Sequence, residues 1–218
     1  RADRKTSGRE SITAKLTANL LEKSGVDRVL AMDLHSAQIQ GYFDIPCDHI
    51  YGSPVLIDYL ESLNLGEVVV VSPDVGGVAR ARAFAKLMKD APLAIIDKRR
   101  SAHNISESLT VIGEVKGKTA ILIDDMIDTG GTICSGANLL KKEGAEKVFA
   151  CASHAVFSPP AHERLSVKNL FEQVIVTNSI PVSQKEYFPQ LKVLSVANML
   201  GEAIWRIHEE SSVSSMFR

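Results

Sequence analysis

Adjacent carboxylates and a glycine-rich loop follow one apolar run of the sequence. Residues 120–123 lead into Asp124 and Asp125, and residues 128–132 then add a third carboxylate, two hydroxyls and two glycines. Successive backbone N–H groups at the start of a helix bind phosphate. Paired carboxylates instead accept hydrogen bonds from sugar hydroxyls or coordinate Mg²⁺. The combination indicates a ribose 5-phosphate pocket; a tight strand-to-helix turn with solvated acids is the alternative.

Polar residues directly follow three further apolar runs: Asp33 and His35 after residues 28–32, Asp74 after residues 68–72, and Lys98 and Arg100 after residues 93–96. In open α/β sheets, ligands bind at the carboxyl ends of the strands. Any one of these junctions is explained by the polarity of loops alone. A series of them in one chain favours a single site.

These residues must be positioned by strands that alternate with helices. The predicted strands are residues 28–32, 68–72, 93–96, 120–123, 147–152, 174–177 and 192–195. Amphipathic stretches predict helices at residues 10–23, 54–63, 79–88, 132–143 and 196–210, and Gly25 and Gly144 stand where a left-handed residue ends a helix. Continuous apolar strands between helices predict an α/β fold with doubly wound, mostly parallel sheets.

The composition is that of a globular protein without a strong charge bias. Among 218 residues, 25 Lys and Arg oppose 26 Asp and Glu, which gives a net charge of −1. We therefore expect no nucleic-acid partner. No apolar run has the length of a membrane helix, so we expect no membrane partner. Three scattered cysteines indicate unpaired thiols in a reducing compartment.

Several motifs occur together and in order along the chain. The segment 124–132 resembles the phosphoribosyl-diphosphate signature of type I phosphoribosyltransferases. Its companions are Arg-Ala-Asp-Arg-Lys at 1–5, Met-Asp-Leu-His at 32–35, Gly-Tyr-Phe-Asp-Ile-Pro at 41–46, Val-Ser-Pro-Asp-Val-Gly-Gly at 71–77 and Asp-Lys-Arg-Arg at 97–100. The whole set resembles the ribose-phosphate pyrophosphokinase family, and the resemblance covers essentially the entire chain.

This resemblance implies an activity and an organisation. Family members transfer the diphosphoryl group of MgATP to the anomeric hydroxyl of ribose 5-phosphate, giving phosphoribosyl diphosphate and AMP for nucleotide biosynthesis. They contain two phosphoribosyltransferase-like domains and assemble into hexamers in the cytoplasm. By this resemblance the chain starts partway into the first domain, so we expect residues 1–51 to be the end of the first domain and 52–200 the complete second domain. Residues 201–218 would form a C-terminal helix and tail packed on the first domain, and organelle targeting stays open.

The resemblance also implies roles for individual residues. The ribose 5-phosphate site would comprise Asp124, Asp125, Asp128, Thr129, Gly130, Gly131 and Thr132. ATP would contact Arg1, Asp3 and His35, and Mg²⁺ would be held by Asp33, His35 and Asp74. Lys98 and Arg100 would be the catalytic cations, on a mobile loop that follows a strand.

Two other functions remain open at this point. A phosphoribosyltransferase that consumes phosphoribosyl diphosphate shares the loop at 124–132, but it does not need the motifs around Asp33 and Lys98 in this order. A non-catalytic subunit that regulates a synthetase would tend to interrupt the catalytic motifs, and here they are intact. Both functions therefore rank below the synthetase.

Overall fold

The computed structural model describes residues 2–5, 7–99 and 108–217. Its helices there are α1 (Thr13–Lys23), α2 (Ser53–Ser62), α3 (Val78–Leu87), α4 (Gly131–Lys142), α5 (Ala161–Leu165) and α6 (Ala197–His208). Its strands are β1 (Val29–Met32), β2 (Cys47–Ile50), β3 (Val68–Ser72), β4 (Leu93–Arg99), β5 (Ser108–Ile112), β6 (Thr119–Ile127), β7 (Lys147–Ala155), β8 (Gln173–Thr177) and β9 (Leu191–Leu194). These elements divide between two compact units, one from Arg1–Gly52 with Ala197–Arg218 and one from Ser53–Val196.

The first unit contains a small parallel sheet. Strands β1 and β2 pair from Val29 opposite Cys47 to Met32 opposite Ile50. Because the strands are parallel, the residues that follow Met32 and Ile50 emerge at the same end of this sheet. Helices α1 and α6 belong to this unit, and each has one fully buried alanine, Ala18 and Ala203.

The second unit is built on a seven-stranded sheet with the order β5-β4-β3-β6-β7-β8-β9. All neighbouring strands are parallel except β4 and β5, which are antiparallel and place β5 at one edge. From β3 the chain winds outward through β4, and from β6 it winds in the opposite direction through β7 to β9. The order of the strands thus reverses between β3 and β6.

Both faces of this sheet are buried. On β6, Ala120 and Leu122 belong to one apolar cluster, which includes residues of α4 and α5, while Ile121 and Ile123 belong to another, which includes residues of α2 and α3. All four side chains are at most 2% exposed. Such burial explains why the sequence shows a continuous apolar run here instead of an alternating pattern.

The predicted α/β class with a mostly parallel sheet is confirmed. The positive φ angles of Gly25 (94°) and Gly144 (89°) also confirm the predicted helix ends. Three predicted strand ends are wrong: β4 continues beyond Ile96 to Arg99, β6 beyond Ile123 to Ile127, and β7 beyond Ala152 to Ala155. The extensions exist because β5 pairs with the end of β4 and because β7 pairs with the end of β6.

Strands β2 and β5 and helix α5 are absent from the sequence prediction and present in the structure. Within the described residues no helix is long and apolar enough to cross a membrane. The three cysteines are free thiols, with Cys134 and Cys151 buried and Cys47 half-buried.

Candidate active site

The reversal of strand order between β3 and β6 is the place where open α/β sheets bind ligands. Val71 of β3 lies opposite Leu122 of β6. Asp74 is three residues beyond Val71, and Asp125 is three residues beyond Leu122. The carboxyl ends of the two strands therefore bring carboxylates to the same edge of the sheet.

Asp124 and Asp125 share one cation, Arg80 of α3. Arg80 Nη1 lies 3.1 Å from Asp124 Oδ1 and 3.5 Å from Asp125 Oδ1. The Asp125 side chain is 3% exposed and that of Asp124 is 23% exposed. Asp124 Oδ1 also accepts a hydrogen bond from the backbone N–H of Asp125, at 2.9 Å. We call these three residues the Arg80–diacid cluster.

The protonation of this cluster reflects its burial. Loss of hydration and the neighbouring Asp125 side chain together raise the pKa of Asp124 to about 7, although the Asp125 backbone N–H and Arg80 act in the opposite direction. A carboxylate is costly to hold in a buried position beside another acid. The site therefore holds acceptors for hydroxyl donors at a cost to the stability of the fold.

The glycine loop, residues 128–132, links β6 to α4. Gly130 is the N-cap of α4 and has a φ of 72°, which an L side chain would adopt only with strain. Among the residues that the structure describes, no side chain caps α4, and Cys134 N–H makes the first hydrogen bond of the helix, to Gly130 O. The N–H groups of Gly131, Thr132 and Ile133 precede that bond, so they lack intrahelical acceptors. This arrangement is suited to an anion.

Asp74, at the end of β3, helps to start α3. Its Oδ1 accepts a hydrogen bond from Gly77 N–H at 2.8 Å, and Ser72 Oγ donates to its carbonyl at 2.7 Å. A methyl group in place of the Gly77 hydrogen would lie 2.9 Å from Ser72 Oγ, so a larger residue here would displace the hydroxyl that donates to the Asp74 carbonyl. The turn holds the exposed Asp74 at the carboxyl end of β3, where the strand order reverses.

Lys98 lies within β4, not after a strand as the sequence suggested. It is opposite Leu109 of β5, and its side chain is exposed. The antiparallel pairing with β5 accounts for its extended backbone. Arg100 lies outside the described residues, as does Arg1.

In the first unit, the structure brings two of the predicted ATP-binding residues together. An open pocket of about 500 Å³ is lined by Asp3 and His35 with five further residues: Ala2, Arg4, Glu10, Ser11 and Thr13. Its lining carries both charges and hydroxyls, so it is suited to a polar ligand. Tyr42 Oη donates a hydrogen bond to the carbonyl of Asp3 and so holds one side of the pocket.

Asp33 and His49 fix the turn that leads to His35. Asp33 has a φ of 43°, and its Oδ2 accepts a hydrogen bond from Gly52 N–H at 2.7 Å. His49 Nε2 accepts a hydrogen bond from Leu34 N–H at 3.0 Å, which places the ring proton on Nδ1. Burial lowers the pKa of His49, against the attraction of Asp33, so the neutral ring is favoured.

The residues predicted to hold Mg²⁺ supply suitable atoms without forming a complete cage. No group of three or more His, Cys, Asp and Glu side chains within the described ranges could hold a metal ion. Mg²⁺ commonly binds through one or two carboxylates and the phosphates of its substrate. The carboxylate of Asp33 in the first unit and that of Asp74 in the second unit each fit that mode.

Sequence reasoning missed three side chains near these positions. Arg80 contacts the diacid, Arg164 contacts the glycine loop, and His49 contacts the turn after Asp33. Each lies between 15 and 45 residues along the chain from the group that it contacts. Residues this far apart show no local spacing, and the elements that carry them hold other polar residues as well, so the sequence carries no signal for these pairs.

Comparisons with known proteins point to one family. Residues 100–218 match the family model described as a phosphoribosyl synthetase-associated domain. A ribose-phosphate pyrophosphokinase of Prochlorococcus marinus subsp. pastoris is 93% identical over all 218 residues, and the chain spans 66% of its length. The enzyme of that name from Prochlorococcus marinus strain SARG is 83% identical, with 67% of its length covered.

A solved structure extends the likeness to the fold. The crystal structure of phosphoribosylpyrophosphate synthetase from Mycobacterium smegmatis superposes with a TM-score of 0.90 at 45% identity, covering 97% of this chain and 68% of that one. This identity extends over nearly the entire chain. The acidic pair and the glycine loop at the strand reversal agree with it. The chain belongs to the ribose-phosphate pyrophosphokinase family.

Proposed function

We propose that this protein transfers the diphosphoryl group of ATP to the anomeric hydroxyl of ribose 5-phosphate, giving phosphoribosyl diphosphate and AMP. The observation that carries the proposal is the Arg80–diacid cluster beside the uncapped start of α4, at the reversal of strand order. Acceptors for a diol and donors for a phosphate lie on consecutive segments of one strand, loop and helix. That pairing matches the two ends of ribose 5-phosphate.

The sugar phosphate would bind along this strand and loop. Asp124 and Asp125 accept hydrogen bonds from the ribose hydroxyls, with Arg80 balancing their charge. The 5-phosphate takes the N–H groups at the start of α4, and the rest of the glycine loop surrounds it: Asp128, Thr129, Gly130, Gly131 and Thr132. Binding at both ends fixes the anomeric hydroxyl, which is the main contribution that a protein makes to phosphoryl transfer.

In the reaction the anomeric oxygen forms a bond to the β-phosphorus of ATP, and the bond from that phosphorus to the oxygen of AMP breaks. The hydroxyl proton leaves to solvent. Lys98, together with Arg100, stabilises the negative charge that gathers on the transferring group. Mg²⁺, when held by Asp33, His35 or Asp74, would neutralise further phosphate charge.

ATP would bind through Asp3, His35 and Arg1, and the charged pocket that includes Asp3 and His35 supports this part of the proposal. A hexameric assembly and a cytoplasmic location belong to the same proposal. Family membership supports the assembly, and the free thiols are consistent with a reducing compartment.

The test is a phosphorus NMR time course of the chain with ATP, Mg²⁺ and ribose 5-phosphate. We expect diphosphate signals on ribose and equimolar AMP, with no ADP. The Asp124→Ala/Asp125→Ala variant should produce neither, because the sugar hydroxyls lose their acceptors. Asp58→Ala removes an exposed carboxylate of α2 in the same unit and serves as the matched control, with activity expected to be unchanged.

Three results would contradict the proposal. ADP in place of AMP would mean transfer of a single phosphoryl group. Consumption of phosphoribosyl diphosphate and a nucleobase, without ATP turnover, would mean a phosphoribosyltransferase. A ribose 5-phosphate resonance that is unaffected by the chain would mean that the glycine loop is only a structural turn.

A further inference from the structure

Helix α5 packs directly against the glycine loop. A methyl group in place of the Gly130 hydrogen would lie 3.4 Å from Leu165 Cγ. Cys134 Sγ, in the first turn of α4, donates a hydrogen bond to the carbonyl of Arg164 at 3.5 Å. Helix α5 therefore contacts the loop through the Leu165 side chain and is joined to α4 through its backbone.

The guanidinium of Arg164 lies over the start of α4. Its Nη1 donates a hydrogen bond to Thr129 O at 3.0 Å. A methyl group at Gly131 would lie 3.2 Å from the same nitrogen and 3.8 Å from Thr129 Oγ1. Arg164 Nη1 and the Thr129 hydroxyl thus flank the first residue of α4, where the helix N–H groups lack intrahelical acceptors.

This position is unfavourable for a cation unless an anion is present. The amino end of a helix carries partial positive charge, which repels another cation and attracts an anion. A guanidinium has five N–H donors in a planar fork, and the bond to Thr129 O uses one of them. The planar fork matches two oxygens of a phosphate. An anion between Arg164 and α4 would therefore bind the guanidinium on one side and the N–H groups of the helix on the other.

We propose that Arg164 is a binding residue for the 5-phosphate and selects the phosphorylated sugar over free ribose. This inference rests on the proposed function, because it takes ribose 5-phosphate as the occupant of the glycine loop. Arg164 is 35 residues beyond Thr129 in the sequence, and the short helix α5 would place its cation at the phosphate.

The test measures the dissociation constants of ribose 5-phosphate and ribose by isothermal titration calorimetry. A charge-assisted hydrogen bond contributes about 1.5–3 kcal/mol, so Arg164→Gln should weaken ribose 5-phosphate about 10- to 100-fold. Arg164→Lys should recover part of this loss, because it keeps the charge without the fork. The affinity for ribose should not change. Arg82→Gln is the control, since Arg82 is an exposed arginine of α3 in the same unit.

The outcomes separate this inference from the proposed function. If the unchanged chain binds ribose 5-phosphate and Arg164→Gln binds it equally well, the role of Arg164 is overturned and the function stands. If the unchanged chain does not bind ribose 5-phosphate, both are overturned. An equal loss of affinity for ribose and ribose 5-phosphate would assign Arg164 to loop structure alone. Thermal unfolding of each variant checks its fold, and if Arg164→Gln does not fold, Arg164→Lys alone must show the selective loss.

Discussion

Replacing Asp124 with asparagine should stabilise the chain while destroying its affinity for the sugar. The pKa of Asp124 rises from 3.8 to about 7 on folding. Each unit of pKa shift corresponds to about 1.4 kcal/mol, so the ionised group costs up to about 4 kcal/mol of stability above pH 7. Asparagine keeps the oxygen that accepts from Asp125 N–H and removes the charge. It also loses the attraction to Arg80, so we expect a net gain of about 2 kcal/mol at pH 8.

The pH dependence gives the sign of the effect. Below pH 4 the carboxyl is protonated in both the folded and the unfolded chain, and the substitution should change little. Between pH 4 and 7 the folded chain retains a proton that the unfolded chain has lost, so the stability of the native protein falls as pH rises. Above pH 7 the cost is fully present, and the advantage of asparagine should reach its maximum.

Thermal unfolding followed by circular dichroism at pH 4 and pH 8 tests this reasoning. In a unit of this size, 2 kcal/mol corresponds to an increase in Tm of about 4–8 °C. Asp58→Asn, at an exposed carboxylate of α2, is the matched control and should show no such pH-dependent gain. A Tm for Asp124→Asn that is lower than that of the native chain at pH 8, or a gain that is equal at both pH values, would refute the argument.

Three further predictions follow from the same contacts. Lys98→Ala should lower turnover on the order of a thousandfold in a full-length enzyme, because it removes the cation that we propose for the transferring group. Steady-state kinetics that retain most of the turnover would contradict this role. His49→Leu leaves Leu34 N–H without its acceptor, at a cost of about 1–3 kcal/mol. We therefore expect the KM for ATP to rise severalfold in His49→Leu and to be largely restored in His49→Asn. Equal KM values in the two variants would argue against this hydrogen bond. Gly130→Ala should lower Tm by about 2–6 °C because of its φ of 72°, whereas Gly201→Ala, in open space on α6, should not lower it.

The sequence predicted the sheet class because burial on both faces leaves continuous apolar runs, as at β3 and β6. It did not predict β5, the antiparallel strand at the edge of the sheet. This strand forms because its residues pair with β4. Pro46, Gly52 and Pro54 made the surroundings of β2 resemble a turn region, although pairing with β1 makes residues 47–50 a strand. Short elements of this kind are determined by their partners more than by their own composition.

The candidate site was predictable where its chemistry is local in sequence. Carboxylates, glycines and hydroxyls from Asp124 to Thr132 are consecutive, so their pattern is visible without a fold. The cations Arg80 and Arg164 come from helices distant in sequence, and only the packing of α3 and α5 brings them to β6 and the glycine loop. The local pattern thus predicts the acceptors, while the charges that balance them require the structure.

The junction between β3 and β6 also has a consequence for folding. Every other strand pair of the described sheet joins consecutive strands, whereas β3 and β6 join segments about 50 residues apart, from Val68 opposite Thr119 to Val71 opposite Leu122. Such non-local pairing forms slowly, because a long loop must close before the contact is gained. A ligand held on both sides of this junction would protect it from local opening, so amide hydrogen exchange along β3 and β6 would slow more than exchange at the sheet edges.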